Sequence, residues 1–343
     1  MLIHLAAFVV VIAGIISAKS LIVPFLLAAF LAIICGPPLY WLRTKGIPPF
    51  VSVIILVLVL IAIEVILAGL IGSSIGDFTR NLPFYQARLK EMLGGVIAWM
   101  QVHGLELTEE IIMEQFDPGK IMGLAANTLN IMGGWLTNTF MIILTLVFIL
   151  LEATGFPDKL KAVAHDEKSS FNEYGQIVRG VNKYMLLKTA TSLFTGVMVA
   201  VVLEIIGVDF AVMWGLVAFL LNFVPTVGSI IAAIPSVLLA LVQLGPGPAM
   251  TVAGSYLVIN VLIGNILEPR IMGSGIGLSP MVIWMTMAFW GWVLGPVGML
   301  LSVPLTMTLK IALHTNENTR WISLLLGSNA DARAALQHKI PGG

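Results

Sequence analysis

Residues 210–244 read FAVMWGLVAFLLNFVPTVGSIIAAIPSVLLALVQL, an apolar stretch about twice as long as one membrane crossing needs. Residues 222–228, NFVPTVG, interrupt it near the middle. Proline removes an amide donor and clashes with the preceding helical turn, and glycine adds backbone freedom. Backbone groups freed at membrane depth are tolerated only inside protein or against water. The stretch therefore predicts a broken helix.

A second long stretch, Met281–Leu309, is split in the same way by Gly295, Pro296 and Gly298. Each stretch is either a re-entrant hairpin that enters and leaves by one face, two tightly joined crossings, or one long kinked helix. Two kinked crossings would leave Arg270 outside, whereas two hairpins place it on the cytoplasmic side with the tail. We favour hairpins because basic residues mark the cytoplasmic side.

The composition agrees with a membrane protein. Of 343 residues, 58% are hydrophobic and 10% are charged, whereas a soluble domain carries about 25% charged residues. Basic and acidic side chains number 18 each, which gives no reason to expect a nucleic acid partner. The sequence predicts an all-α polytopic membrane protein in the lipid bilayer, with about six to eight transmembrane helices.

Apolar runs and polar segments divide the chain. We predict transmembrane helices in 1–75, one more in 123–152, a transport core with broken helices in 189–310, and a C-terminal tail in 311–343. The remaining segments, 76–122 and 153–188, are polar. The apolar runs outside the broken stretches are Leu2–Ala18, Leu21–Cys35, Phe50–Ile75, Thr137–Leu151, Leu186–Ile206 and Ala249–Leu267.

Segment 76–122 predicts a small amphipathic helical insertion outside the membrane. Its apolar residues recur at steps of four and three from Phe78 to Trp99, a heptad seam that packs against another helix. That partner is another subunit, the protein's own membrane domain or the lipid headgroups. Pro83 fits only near a helix start, so we expect this helix to begin around Asn81 and a second, short one at Thr108.

Charge distribution orients the chain. Segment 153–188 holds six basic residues, whereas 76–122 holds four basic against seven acidic ones. Because a basic excess marks the cytoplasmic side, 153–188 is predicted to be a cytoplasmic amphipathic segment and 76–122 to lie outside. Both termini are then expected in the cytoplasm.

Polar residues form a stripe on one predicted helix. Tyr256, Asn260, Gly264 and Glu268 recur every four residues, and Asn265 lies close by. Such polar side chains in a membrane helix usually face a partner or a water-filled path. We predict that this stripe contacts a transported solute.

The stripe ends at Glu268-Pro269-Arg270, where proline is expected to end the helix because it pushes the preceding residue towards extended geometry. Glu268 and Arg270 can pair with each other or with a neighbouring helix. A structural ion pair at the membrane edge and a direct substrate contact are both open at this point.

Further solute-binding candidates lie at helix breaks. Asn222, Pro225 and Thr226 form the tip of the first broken stretch, where polar groups serve either the freed backbone or a solute. Ser279 predicts an N-cap, followed by Pro280 in the first turn. A helix N-terminus carries partial positive charge and suits an anionic or hydroxyl-rich solute.

Two isolated acids, Glu64 and Glu204, lie within apolar runs. Each is either a proton or cation site or a neutral acid bonded to a neighbour. The histidines are scattered without metal-ligand spacing, and the chain contains neither a G-x-x-x-x-G-K-[ST] phosphate loop nor H-E-x-x-H. Nothing predicts an enzyme, a metal site or a cofactor.

Four motifs carry a resemblance to a known family. They are IVPFLLAAF at 22–30, FLLNFVPTVG at 219–228, GNILEPRIMGSGIGLS at 264–279 and FWGWVLGPVGMLLSVPL at 289–305. Together they resemble the autoinducer-2 exporter family of bacterial inner-membrane proteins. The resemblance covers nearly the whole chain, including the polar insertion, and is weakest after Leu309.

The resemblance implies a multi-pass inner-membrane protein that exports autoinducer-2, a small hydroxylated furanone-type quorum-sensing signal. Other family members resemble sodium or lithium/proton antiporters, which is the alternative function. The resemblance also implies homo-oligomers, pentamers in particular, with hairpin-bearing, elevator-like transport units. A membrane scaffold that recruits partners through the heptad seam is disfavoured, because a scaffold needs no broken helices at membrane depth.

Overall fold

The chain folds as an all-α polytopic membrane protein, which confirms the predicted fold class. A computed structural model describes residues 2–103, 117–137, 139–153, 169–225, 227–272, 278–315 and 319–328. These residues contain helices and no strand. Within the same ranges, six helices are long and apolar enough to cross a bilayer.

In chain order the helices are α1 Leu2–Ser17, α2 Lys19–Thr44, α3 Pro49–Val102, α4 Pro118–Thr137, α5 Thr139–Ala153, α6 Ser169–Ile206, α7 Ala211–Leu221, α8 Val227–Leu244, α9 Pro246–Ile259, a π-helical segment Asn260–Leu267, α10 Glu268–Met272, α11 Pro280–Leu294, α12 Pro296–Thr315 and α13 Arg320–Leu326.

Helix α3 runs for 54 residues without a break, so the helix start expected near Asn81 is wrong. Pro83 lies inside this helix. Side chains on both sides of the proline hold the helix in place, because Phe78 and Tyr85 are buried in one core cluster with Met122 of α4. Tertiary packing thus compensates for the single backbone bond that proline removes.

The heptad seam packs partly within its own chain. Phe78, Tyr85 and Leu89 are buried, whereas Val96 and Trp99 are exposed. The Tyr85 hydroxyl also donates a hydrogen bond to Asp209 Oδ2 at 2.8 Å. The short helix expected at Thr108 lies outside the described residues.

The helices cross one of the predicted segment boundaries. Residues 123–137 belong to α4 and residues 139–152 to α5, and residue 138 lies outside the described residues. Apart from Ala153, which ends α5, the described part of 153–188 belongs to α6, which continues without a break to Ile206. A segment predicted as separate therefore shares one helix with the transport core.

Each broken stretch folds as two helices joined by a tight turn. Helices α7 and α8 meet at Asn222–Pro225, and α11 and α12 meet at Gly295, whose φ of 76° favours glycine. A Cβ at Gly228 would overlap the Leu221 carbonyl oxygen, and one at Gly298 would overlap that of Trp290. Glycine is therefore required where the two arms of each pair approach.

Helix α6 packs closely against α7. A Cβ built at Gly215 would lie 2.6 Å from the Gly196 carbonyl oxygen and 2.7 Å from the Ala200 Cβ. Small residues allow two backbones to approach closely in a membrane. This contact fixes the first broken stretch against α6.

We expect Gly215→Ala to lower the free energy of unfolding by about 1–3 kcal/mol, because its Cβ overpacks the α6–α7 contact. Gly254→Ala is the matched control, since a Cβ at that helical glycine of α9 meets nothing within 4 Å. It should leave stability unchanged or raise it by about 0.5–1 kcal/mol. Denaturation in mixed micelles, followed by tryptophan fluorescence, measures both. An equal loss of stability in the two variants would contradict the close packing of α6 against α7 at Gly215.

Candidate functional site

Residues beside both helix interruptions line one cavity of about 230 Å³, together with Thr128 and Ile131 of α4. A cavity of about 430 Å³ lies elsewhere, between α8 and α9. One wall of the smaller cavity comes from the first broken stretch and another from the start of α12. The lining residues nearest the two turns are Leu221, Val224, Gly228, Pro296, Met299 and Leu300.

The first tip is fastened to α6 by a buried hydrogen bond. Asn222 is buried, and its Nδ2 donates to Ser192 Oγ at 3.0 Å. Phe223 belongs to a core cluster that includes Tyr184 and Met185 of α6. Asn222 thus lies at the tip as predicted. Pro225 is half-buried beside it, while Thr226 lies outside the described residues.

A buried ion pair joins α6 to the end of the π-helical segment. Lys188 Nζ lies 2.7 Å from Glu268 Oε1 and 3.0 Å from Oε2. The Lys188 side chain is 5% exposed and that of Glu268 is 17% exposed. Glu268 thus pairs with a neighbouring helix, one of the two arrangements that the sequence left open. Removing one partner of a buried pair leaves an uncompensated charge, which is strongly destabilising.

The π-helical segment determines the course of the polar stripe. Glu268 N–H donates to the Ile263 carbonyl, which is an i→i−5 bond. Four residues make slightly more than one α-turn and slightly less than one π-turn. The π segment therefore rotates the stripe from Asn260 to Glu268 back towards the face that Tyr256 occupies.

The helix does not end before Pro269, so that prediction is wrong. Glu268 has helical φ and ψ of −58° and −50°, and α10 continues to Met272. The π-helical hydrogen-bond pattern stops at Glu268, so Pro269 lies in the first turn of α10. The amide hydrogen that proline lacks costs little at that position.

Asn260 and Tyr256 line the cavity of about 430 Å³ between α8 and α9. Tyr256 is buried, and its hydroxyl oxygen forms a hydrogen bond of 2.8 Å with Ser236 of α8. Most of the other lining side chains are apolar. The cavity is a groove open to the outside, because Ile230, Ile234 and Leu257 in its lining are exposed. Asn260 and Tyr256 are its candidate solute contacts.

The remaining predicted residues are dispersed. Ser279 caps α11 as predicted, accepting a 3.3 Å hydrogen bond from Val282 N–H, and the preceding Leu278 packs in the cluster that holds Tyr184 and Phe223. Asn265 and Arg270 are exposed on the π segment and α10. The acids from other helices are exposed (Glu204) or half-buried (Glu64) and do not join this group.

Lys188 with Thr189, Thr191 and Ser192 is typical in sequence of an interfacial helix start with a snorkelling lysine. That prediction is wrong, because Lys188 lies inside α6 and is buried. The signal for a buried face was in the spacing: Lys188 and Ser192, and likewise Thr191 and Thr195, are four residues apart, and all four are buried. A polar face that is buried within an otherwise apolar run predicts a helix whose polar side meets protein rather than lipid.

The chain is similar to known transport proteins over most of its length. A model described as AI-2E family transporter matches residues 5–318. The chain is 38% identical over 324 residues to the AI-2 transport protein TqsA of Escherichia coli K12, covering 94% of each chain. It is also 38% identical to a putative transport protein of Haemophilus influenzae, covering 96% of this chain and 97% of that one.

We expect Lys188→Ala to lower the free energy of unfolding by about 3–5 kcal/mol, because it leaves the Glu268 carboxylate buried and unpaired. Arg88→Ala is the control: it removes an ion pair with Glu91 whose side chains are 51% and 69% exposed. That loss should stay below about 1 kcal/mol.

The paired replacement Lys188→Met with Glu268→Leu should recover most of the loss, since an apolar pair carries no uncompensated charge. Unfolding in mixed micelles measures the stability of Lys188→Ala, Arg88→Ala and the paired replacement. A Lys188→Ala protein as stable as Arg88→Ala would show that the buried pair does not hold α6 to the π segment.

Proposed function

The chain belongs to the AI-2E transporter family, and from that premise we propose that it exports autoinducer-2 or a similar small polar metabolite as a secondary transporter. It is a multi-pass transport protein of the bacterial inner membrane and not an enzyme. The Escherichia coli relative that is named an AI-2 transport protein supports the choice of solute.

The observation that carries the proposal is the convergence of the two helix interruptions. Leu221 and Val224 beside the first interruption and Pro296 beside the second line the same cavity of about 230 Å³. Discontinuous helices of this kind supply the binding groups of many secondary transporters. A hydroxyl-rich solute can exchange hydrogen bonds with such groups as it passes.

The charge of the site favours an uncharged solute. Lys188 and Glu268 neutralise each other, and the remaining polar groups on the stripe are amides and hydroxyls. We therefore place the solute against Asn260 and Tyr256, in the cavity of about 430 Å³ between α8 and α9, while Asn222 holds the first tip to α6. A hydroxylated furanone-type molecule matches such donors and acceptors without needing a counter-charge.

We further propose that the broken stretches are re-entrant hairpins in an elevator-like unit, and that the protein is a homo-oligomer. In support, Phe84, Trp99 and Val102 form an exposed apolar part of α3 beyond its membrane run. The closely packed α6–α7 contact also favours movement of α6 and the first hairpin as one body.

Asn260→Ala should lower autoinducer-2 efflux by roughly threefold to tenfold, the range expected for one lost hydrogen bond. Asn127→Ala, which removes an exposed amide of α4, is the control and should leave efflux unchanged. Extracellular autoinducer-2 is measured from cells with equal membrane levels of each variant. Equal efflux from both variants would remove Asn260 from the binding site.

The alternative function, sodium or lithium/proton antiport, is favoured by one observation. Glu64 is half-buried in the membrane run of α3, and no ion-pair partner faces it among the described side chains. An intramembrane acid of this kind is suited to a titrating ion site.

Antiport predicts that sodium evokes proton movement in everted vesicles, reported by a pH-sensitive dye, and that Glu64→Gln abolishes it. Glu91→Gln, on the exposed part of α3, should keep the signal. A silent wild-type protein that still exports autoinducer-2 would count against antiport and leave the first function standing.

A further inference from the structure

We infer that Lys188 is a tethered counter-ion: its ammonium group occupies, at Glu268, the position that a free monovalent cation would otherwise take. Transport through this site then involves no sodium or lithium bound at Glu268. The inference rests on the proposed function only in what it implies for transport. That Lys188 occupies the cation position at Glu268 rests on the contact between the two side chains.

The geometry of the pair supports this reading. One nitrogen lies 2.7 Å and 3.0 Å from the two carboxylate oxygens, so the ammonium bridges them as a small cation would. With 5% of the Lys188 side chain exposed, bulk water has little access to replace it. Hard monovalent and divalent cations prefer oxygen ligands, and both oxygens of this carboxylate are already engaged.

The charge balance around the pair leaves no place for a second cation. Across the part of the chain that the structure describes, no cluster of three or more acidic, histidine or cysteine side chains could hold a metal ion. Arg270, two residues beyond Glu268, is exposed. Locally there is one acid, and its one buried cation is covalently attached to α6.

The location of the pair connects it to both halves of the candidate site. Lys188 lies one turn before Ser192, which holds the Asn222 tip. Glu268 lies where the π segment, with Asn260, meets α10. A tethered cation at this point keeps the two polar elements together in every step of a cycle, whereas a free ion would have to bind and leave.

A neutral residue at position 188 should open the position at Glu268 to a cation from solution. Lys188→Gln removes the Lys188 ammonium group and supplies an amide oxygen in its place. The buried Glu268 carboxylate would then be compensated by a cation from solution, because an unpaired intramembrane charge is costly. This variant should acquire a sodium or lithium site that the wild-type protein lacks.

Binding of radiolabelled sodium to the purified full-length protein in detergent tests this, with choline as the competitor control. We expect saturable binding by Lys188→Gln at least fivefold above wild type, and its loss in Lys188→Gln with Glu268→Gln. Lys188→Arg keeps a tethered cation and should bind no more sodium than wild type. Sodium should also raise the unfolding temperature of Lys188→Gln alone among these proteins.

Two outcomes would overturn the inference. One is a folded Lys188→Gln protein that binds no sodium. The other needs no variant at position 188: wild-type protein that binds sodium, with the binding lost in Glu268→Gln, would show that a free cation shares the carboxylate. Both measurements are independent of solute export, so a failure to export autoinducer-2 would overturn the proposed function and leave this result intact.

Discussion

A bilayer offers no hydrogen bonds, so every polar group at membrane depth must find its partner within the protein. In this chain one face of α6 provides two of those partners. Ser192 binds the Asn222 tip, and Lys188 binds Glu268. These contacts fix the broken stretch and the π segment relative to the same helix. Polar residues that would otherwise be costly in lipid therefore determine how the transport core is assembled.

Close packing makes those polar contacts possible. Gly196 and Gly215 let α6 and α7 approach until a methyl group would not fit, and Gly228 does the same within the first broken stretch. Without a hydrophobic driving force between helices in lipid, such van der Waals contact carries much of the association. The same short distances bring Asn222 within reach of Ser192.

The site combines a mobile type of architecture with a fixed electrostatic centre. Two interrupted helices meet at one cavity, a form suited to opening and closing around a solute. The ion pair next to them carries no net charge. Family membership as a transporter and a largely apolar cavity with a few amide and hydroxyl groups support the proposed small uncharged cargo.

The sequence by itself determined the membrane class, the interruptions at 222–228 and 295–298, the Ser279 cap and the family, because each depends on local composition or spacing. Only the tertiary structure decided that α3 continues past Pro83 and that the helix continues through Pro269. It also decided that Lys188 meets Glu268, 80 residues away. The local sequence pattern predicts which groups need partners. The partner of a buried charge depends on how distant helices pack, which neither the sequence around Lys188 nor that around Glu268 determines alone.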